Sequence, residues 1–145
     1  MKMSIGVEQS LVILVLLSIN DNQPIKSRVL SQKLDVSDSY LKKTMRKLVV
    51  AEIVEAIASK DGGYILARPP KDITLLDVYE AIEGSESFSQ STKLAGRVFG
   101  SKEMIEARAN EVSASIRLAE KRFKDVLKQS TIQDLLSSDQ VGGHS

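Results

Sequence analysis

Between Pro24 and Lys47 the chain carries Lys26, Arg28, Lys33, Lys42, Lys43, Arg46 and Lys47 against only Asp35 and Asp38, a local excess of five positive charges. Hydroxyl side chains are interleaved with them, at Ser27, Ser37, Ser39 and Tyr40. Fixed cations attract phosphates without regard to sequence, whereas donors at the start of a helix can reach base edges in a major groove. The chemistry these residues offer is therefore recognition of duplex DNA. Ser39, Tyr40 and Lys43 suit bases, while Lys26, Arg28, Lys42, Arg46 and Lys47 suit phosphates. From Lys71 onward ten basic residues face twelve acidic ones, and the whole chain has a formal charge of only +1. The polyanion surface is thus confined to one part of the fold.

Groups that make or break bonds are nearly missing. The sequence has no cysteine, which excludes disulfides, thiolate nucleophiles and cysteine-held zinc or iron–sulfur centres. The single histidine, His144, stands in a Gly-Gly-His-Ser terminus, within a tail over 137–145 that is expected to be disordered. No catalytic residue, metal ligand or cofactor is expected, and the chain reads as a non-enzyme. Leu11 to Leu17 is an unbroken apolar run, but seven residues fall far short of the ~20 that cross a bilayer. Asn20-Asp21-Asn22 after it offers no small-residue cleavage site. A buried helix of a cytoplasmic protein is expected, with no membrane partner.

The elements that must position the cationic stretch follow from periodicity. Apolar residues make up 42% of the 145 and aromatic ones 4%, so the core is aliphatic and mainly helical. Residues 5 to about 19 predict a helix that is apolar nearly all round. Ser27 is expected to cap a short helix from Arg28 to Leu34 with Val29, Leu30 and Leu34 inward. Asp35-Val36-Ser37 makes a tight turn into a helix from Asp38 to Val50, where Leu41, Met45, Leu48 and Val49 form an inner stripe. Asp38 is expected to act as a cap. Ile53–Ala58 and Tyr64–Arg68 alternate as strands around Gly62-Gly63, a hairpin whose glycines are expected to supply positive φ. Lys60 and Ser59 at its tip are candidate backbone contacts. Thr74 caps a helix from Leu75 to Glu83, closed by Gly84.

Three helices and a hairpin, the third helix amphipathic and basic, is the layout of a winged helix-turn-helix. Ser31 is small where two helices cross, Asp35 turns the chain, and Val36 plugs the gap beneath. The expected division is 1–84 for this unit, 85–101 for a loop, and 102–136 for a long helix with a short final one capped at Thr131. In the long helix Ile105, Ala109, Val112, Ile116, Ala119, Phe123 and Val126 recur at alternating spacings of four and three, a heptad seam. Such a stripe can pack on its own domain or on a second copy. Burying the five large residues from each of two copies is worth roughly 15–30 kcal/mol gross. Association costs about 4–15 kcal/mol, so a homodimer is expected.

Ser37-Asp38-Ser39-Tyr40-Leu41, Gly62 to Arg68 and Ile73 to Gly84 together resemble the Rrf2 family of bacterial repressors, and Thr131 to Leu136 resembles its ending. The resemblance covers nearly the whole chain. It implies a mainly helical protein with a β-hairpin wing, acting as a homodimeric repressor with recognition contacts at Ser37, Ser39, Tyr40, Lys42 and Lys43. Two departures stand out. Many members hold an iron–sulfur cluster with three cysteines in the loop after the post-hairpin helix; here that loop has none. Many also carry Arg-Gly at the start of the wing, where this chain has Ala58-Ser59. The reading is a cluster-less, sequence-specific DNA-binding regulator whose signal is a small molecule, a partner protein or none at all. The rival is a protein-interaction adaptor built on the same scaffold.

Overall fold

The computed structural model describes residues 3–88, 93–100 and 103–136. The expected tail at 137–145, His144 included, lies outside them. The chain forms two compact units, one of Met1–Gly84 with Leu127–Ser145 and one of Ser85–Val126.

In the first unit α1 (Ile5–Ser18), α2 (Ser27–Leu34) and α3 (Asp38–Val50) precede the hairpin of β1 (Val54–Ile57) and β2 (Gly63–Leu66). A turn of 3-10 helix (Pro70–Asp72) leads to α4 (Leu75–Glu83). This is a mainly helical, winged helix-turn-helix architecture. Its core is aliphatic: Ile13, Leu14, Leu30, Leu41, Met45, Leu48, Ile53 and Ile73 are fully buried. Although apolar nearly all round, α1 buries one broad face, with Val7, Ile13, Leu14 and Leu17, and leaves Ile5 and Val12 exposed; its buried Ser10 is tolerated because the hydroxyl donates back to the Gly6 carbonyl at 2.7 Å. Asp21 and Asn22, both at positive φ, end the run.

Two capping expectations are corrected in α2 and α3. Ser27 is the first helical residue of α2, not its cap; Lys26 stands at the cap and supplies no side-chain bond. Val29 is 40% exposed, so Leu30 and the half-buried Leu34 carry the inner side without it. Ser37, not Asp38, caps α3, its hydroxyl accepting the Tyr40 N–H at 3.1 Å. Between these helices Asp35 takes the left-handed conformation, φ 54 and ψ 49, which Asp tolerates better than most residues.

In the hairpin Val54 pairs with Leu66 and Ile57 with Gly63. A further bridge joins Ile25 to Tyr64 through N–H···O bonds of 3.0 and 2.8 Å, tying the start of α2 to the wing. The glycine pair acts mainly by close approach. A Cβ on Gly62 would overlap the Ile57 carbonyl, and one on Gly63 would meet the Ile25 backbone; only Gly63 has positive φ. α4 opens with a full capping box between Thr74 and Asp77 and is followed by Gly84 at φ 89.

The segment after the long helix belongs to this same unit. Thr74 and Thr131 bridge, the Ile132 N–H donates to the Ile73 carbonyl at 2.9 Å, and Ile132 is fully buried in the core. The Thr131 N–H is capped by the Asp134 carboxylate at 2.8 Å. Residues 102–136 therefore do not form one piece.

In the second unit α5 (Leu94–Phe99) lies within the stretch expected to be a loop, and α6 (Glu103–Lys128) runs for 26 residues. Glu120, which falls off the heptad seam, is buried; Ser87 donates to its carboxylate at 2.7 Å and Lys124 pairs with it at 3.7 Å. Phe88 meets Phe123 edge to face, centroids 5.3 Å apart.

Candidate nucleic-acid interface

α3 turns Leu41, Thr44, Met45 and Leu48 inward, and helical periodicity then leaves Ser39, Lys42, Lys43 and Arg46 outward. All four are exposed, and so is Ser37. The Lys42 ammonium pairs with the Asp38 carboxylate one turn back at 3.2 Å. That ammonium, assisted by the hydroxyls of Ser27 and Ser31, holds the Asp38 carboxyl below its ordinary range. Lys43 and Arg46 have no ion-pair partner among the described residues. They are the free cations of this surface.

Two expected contact residues are turned toward the protein's own body. The Tyr40 hydroxyl donates to Gln9 Oε1 on α1 at 3.0 Å, although the residue remains 40% exposed. The Lys47 ammonium reaches the Ile82 carbonyl at the end of α4 at 3.5 Å. Gln9 had no signal in the sequence, because its partner is 31 residues away and nothing local marks it.

On the other side of α3, tertiary structure gathers residues that the sequence keeps apart. Lys26, Ser27 and Arg28 at the start of α2 share a concavity of about 400 Å³ with Ser59, Lys60 and the Gly62-Gly63 turn of the wing. The Ile25–Tyr64 bridge fixes that meeting. Two lysines and an arginine around one open hollow, with the amides of a helix start among them, offer a site for an anion.

The seam of α6 divides in two. Val112 and Val126 are 60% and 62% exposed, and Ala109 and Ala119 are exposed as well. Ile105, Ile116 and Phe123 are half-buried within the protomer, Phe123 against Phe88. The apolar area left for a second copy is accordingly smaller than the full seam suggests.

Residues 3–138 match Rrf2, described as "Iron-dependent Transcriptional regulator". The chain belongs to the Rrf2 family. It is 38% identical over 144 residues to YwgB of Bacillus subtilis, named as an HTH-type transcriptional regulator, covering 98% of this chain and 87% of that one. Among solved structures it resembles CymR, the global cysteine regulator of B. subtilis, at TM-score 0.69 and 25% identity, with 95% and 98% of the two chains covered. A transcriptional regulator from Listeria innocua is 31% identical at TM-score 0.65, with 94% and 87% covered. These relatives are transcriptional regulators and not enzymes, and a family of this kind acts on DNA.

Iron dependence in the family's description raises the question of donors. This Rrf2 chain has no thiolate to offer, and its one histidine is His144. Among the described residues no three His, Cys, Asp or Glu side chains gather as a metal site would require. The residues present do not fit an iron–sulfur cluster. Among the same residues no helix is long and apolar enough to cross a membrane.

Proposed function

We propose that this Rrf2-family regulator is a sequence-specific repressor that binds a pseudo-palindromic operator as a homodimer, without an iron–sulfur cluster. The observation that carries the reading is the outer side of α3, where Ser39, Lys43 and Arg46 stand exposed and free of ion pairs beside a wing-and-α2 hollow lined with cations. Ser37, Ser39, Tyr40 and Lys43 are assigned to the bases or their edge. Lys26, Ser27, Arg28, Lys42, Arg46, Lys47, Ser59 and Lys60 are assigned to phosphates, which set register and affinity without choosing sequence. Lys60 is a poor substitute for an arginine in a narrow minor groove, so the wing here serves the backbone.

The dimer reading is supported by Val112 and Val126, large apolar side chains more than half exposed on one register of α6, with the exposed Ala119 between them. Small residues between large ones allow two helices to approach closely. Two-fold pairing would present two α3 helices to half-sites centred one helical turn, or a multiple of ~10 bp, apart.

Fluorescence anisotropy on duplexes selected from a random pool tests this. Binding should fall by about three decades or more between roughly 50 and 200 mM salt, as expected for at least six phosphate contacts. Lys43→Ala should weaken binding to the selected sequence more than to a scrambled one. A flat salt response would point to the adaptor reading instead.

A further inference from the structure

Tyr40, assigned above to the bases or their edge, is tied to a second helix. Its hydroxyl donates to Gln9 Oε1 on α1 at 3.0 Å, and its N–H donates to the Ser37 hydroxyl at 3.1 Å, so the residue is held at both ends. Packing alone does not hold it. A hollow of about 140 Å³ that joins Ser4 and Gly6 to Thr44 runs beside the ring. Gly6 has no side chain to fill that space, and a Cβ there would come to 4.0 Å from the Tyr40 hydroxyl. Gln9 lies three residues further on, on the same face of α1, and is half-buried. As support for the fold its bond is worth little, because it joins two neutral groups at the surface. For recognition it matters more. A ring free to swing would have to be ordered on every encounter with DNA, which costs affinity, and a ring already held would not.

The direction of the bond decides what the hydroxyl can still do. A phenol has one proton to give and lone pairs with which to accept. The proton is committed to Gln9, and among the described residues this is the hydroxyl's one hydrogen bond, so what it offers outward is an acceptor. Phosphate oxygens are acceptors as well, and so are guanine N7 and O6 and thymine O4. The donors on a major-groove edge are the exocyclic amines, adenine N6 and cytosine N4. Tyr40 is 40% exposed and stands three residues before the outward Lys43, so it borders the surface that faces those edges. We infer that Gln9 is a positioning residue for sequence recognition, fixing the Tyr40 hydroxyl as an acceptor that selects an exocyclic amino group, on adenine or cytosine, at one position of each half-site. The inference rests on the DNA-binding reading above. It adds a residue of α1 that touches no base and acts through Tyr40.

The test uses the full chain, a duplex selected from a random pool, its single-base substitutions and a scrambled duplex. At one half-site position the wild type should prefer adenine or cytosine over guanine and thymine by about fivefold, and the substitution panel shows which amine is taken. Tyr40→Phe should remove that preference and leave the other positions unchanged. Gln9→Met keeps the length and helix propensity of the side chain without its carbonyl. It should cut the same preference about threefold or more, with the melting temperature within about 3 °C of wild type. In the Tyr40→Phe background Gln9→Met should add nothing, since both act through one bond. Gln9→Glu, which when ionised can only accept, should retain the preference ratio even where its charge lowers every affinity together. An unchanged ratio in Gln9→Met, an equal loss on every duplex, or the same effect with and without the Tyr40 hydroxyl overturns the positioning role. Loss of the preference in Gln9→Glu overturns the acceptor assignment. Base preferences that all survive in Tyr40→Phe refute the inference and leave the DNA-binding reading standing. A wild type that prefers no base at any position refutes sequence-specific binding itself, and the role of Gln9 with it.

Discussion

Replacing Ile132 by alanine tests how the C-terminal segment is held. Ile132 is fully buried in the core of the winged unit, and its N–H donates to the Ile73 carbonyl at 2.9 Å beside the Thr74–Thr131 bridge. The backbone bonds survive the substitution, so the loss is that of the side chain and the cavity it leaves. For Ile→Ala at a closed site the cost is about 2–5 kcal/mol. A value near 3 kcal/mol, with a urea slope of about 1.5 kcal/mol per molar, lowers the unfolding midpoint by roughly 2 M. For a unit of about 100 residues the melting point should drop by about 12–24 °C. Leu135→Ala is the control: Leu135 is 41% exposed, and its change should stay within about 0.5 kcal/mol. Both are read by urea titration at one fixed protein concentration, so that any association is held constant. A loss below about 1 kcal/mol for Ile132→Ala, or one no larger than for Leu135→Ala, would refute the claim that this segment completes the winged core.

Four further outcomes are expected. Thr74→Ala breaks the bond from the Asp77 N–H to the threonine hydroxyl at 3.0 Å and should cost about 1 kcal/mol in the same urea titration. Gly62→Ala drives a Cβ into the Ile57 carbonyl and should cost about 2 kcal/mol, with a matching fall in duplex affinity if the wing touches the backbone. Val112→Asp places a carboxylate on the exposed register of α6 without disturbing the protomer; sedimentation velocity should show dimers weakened about a hundredfold or more. Asp38, whose carboxyl is held below the ordinary carboxylate range chiefly by Lys42, contributes stability that is present above its unfolded pKa and lost as pH falls through the lower folded value. Stability measured through that acid range should therefore decline less steeply in Asp38→Asn.

The winged architecture was legible because its signals are short-range. The cap at Thr74, Gly84 after α4 and the apolar stripe of Leu41, Met45 and Leu48 each act within one or two turns, where residue type decides the local conformation. The cationic outer side of α3 followed from that same stripe, since burying one side of a helix leaves the other to solvent. Expectations erred where two local choices were nearly equal, as with Ser27 and Asp38 for caps and Val29 for the inner side of α2. Proximity across long separations lay beyond any such reading. Tyr40 meets Gln9, Ser87 meets the buried Glu120, and Ile132 enters a core built mostly from residues before Gly84. The hollow shared by Arg28 and Lys60, and the pocket joining Ser4 to Thr44, likewise exist only once helices and hairpin have docked. Periodicity determined which side of each element is apolar; which apolar sides meet, and so which polar groups are brought within bonding distance, was decided by close packing of the whole unit.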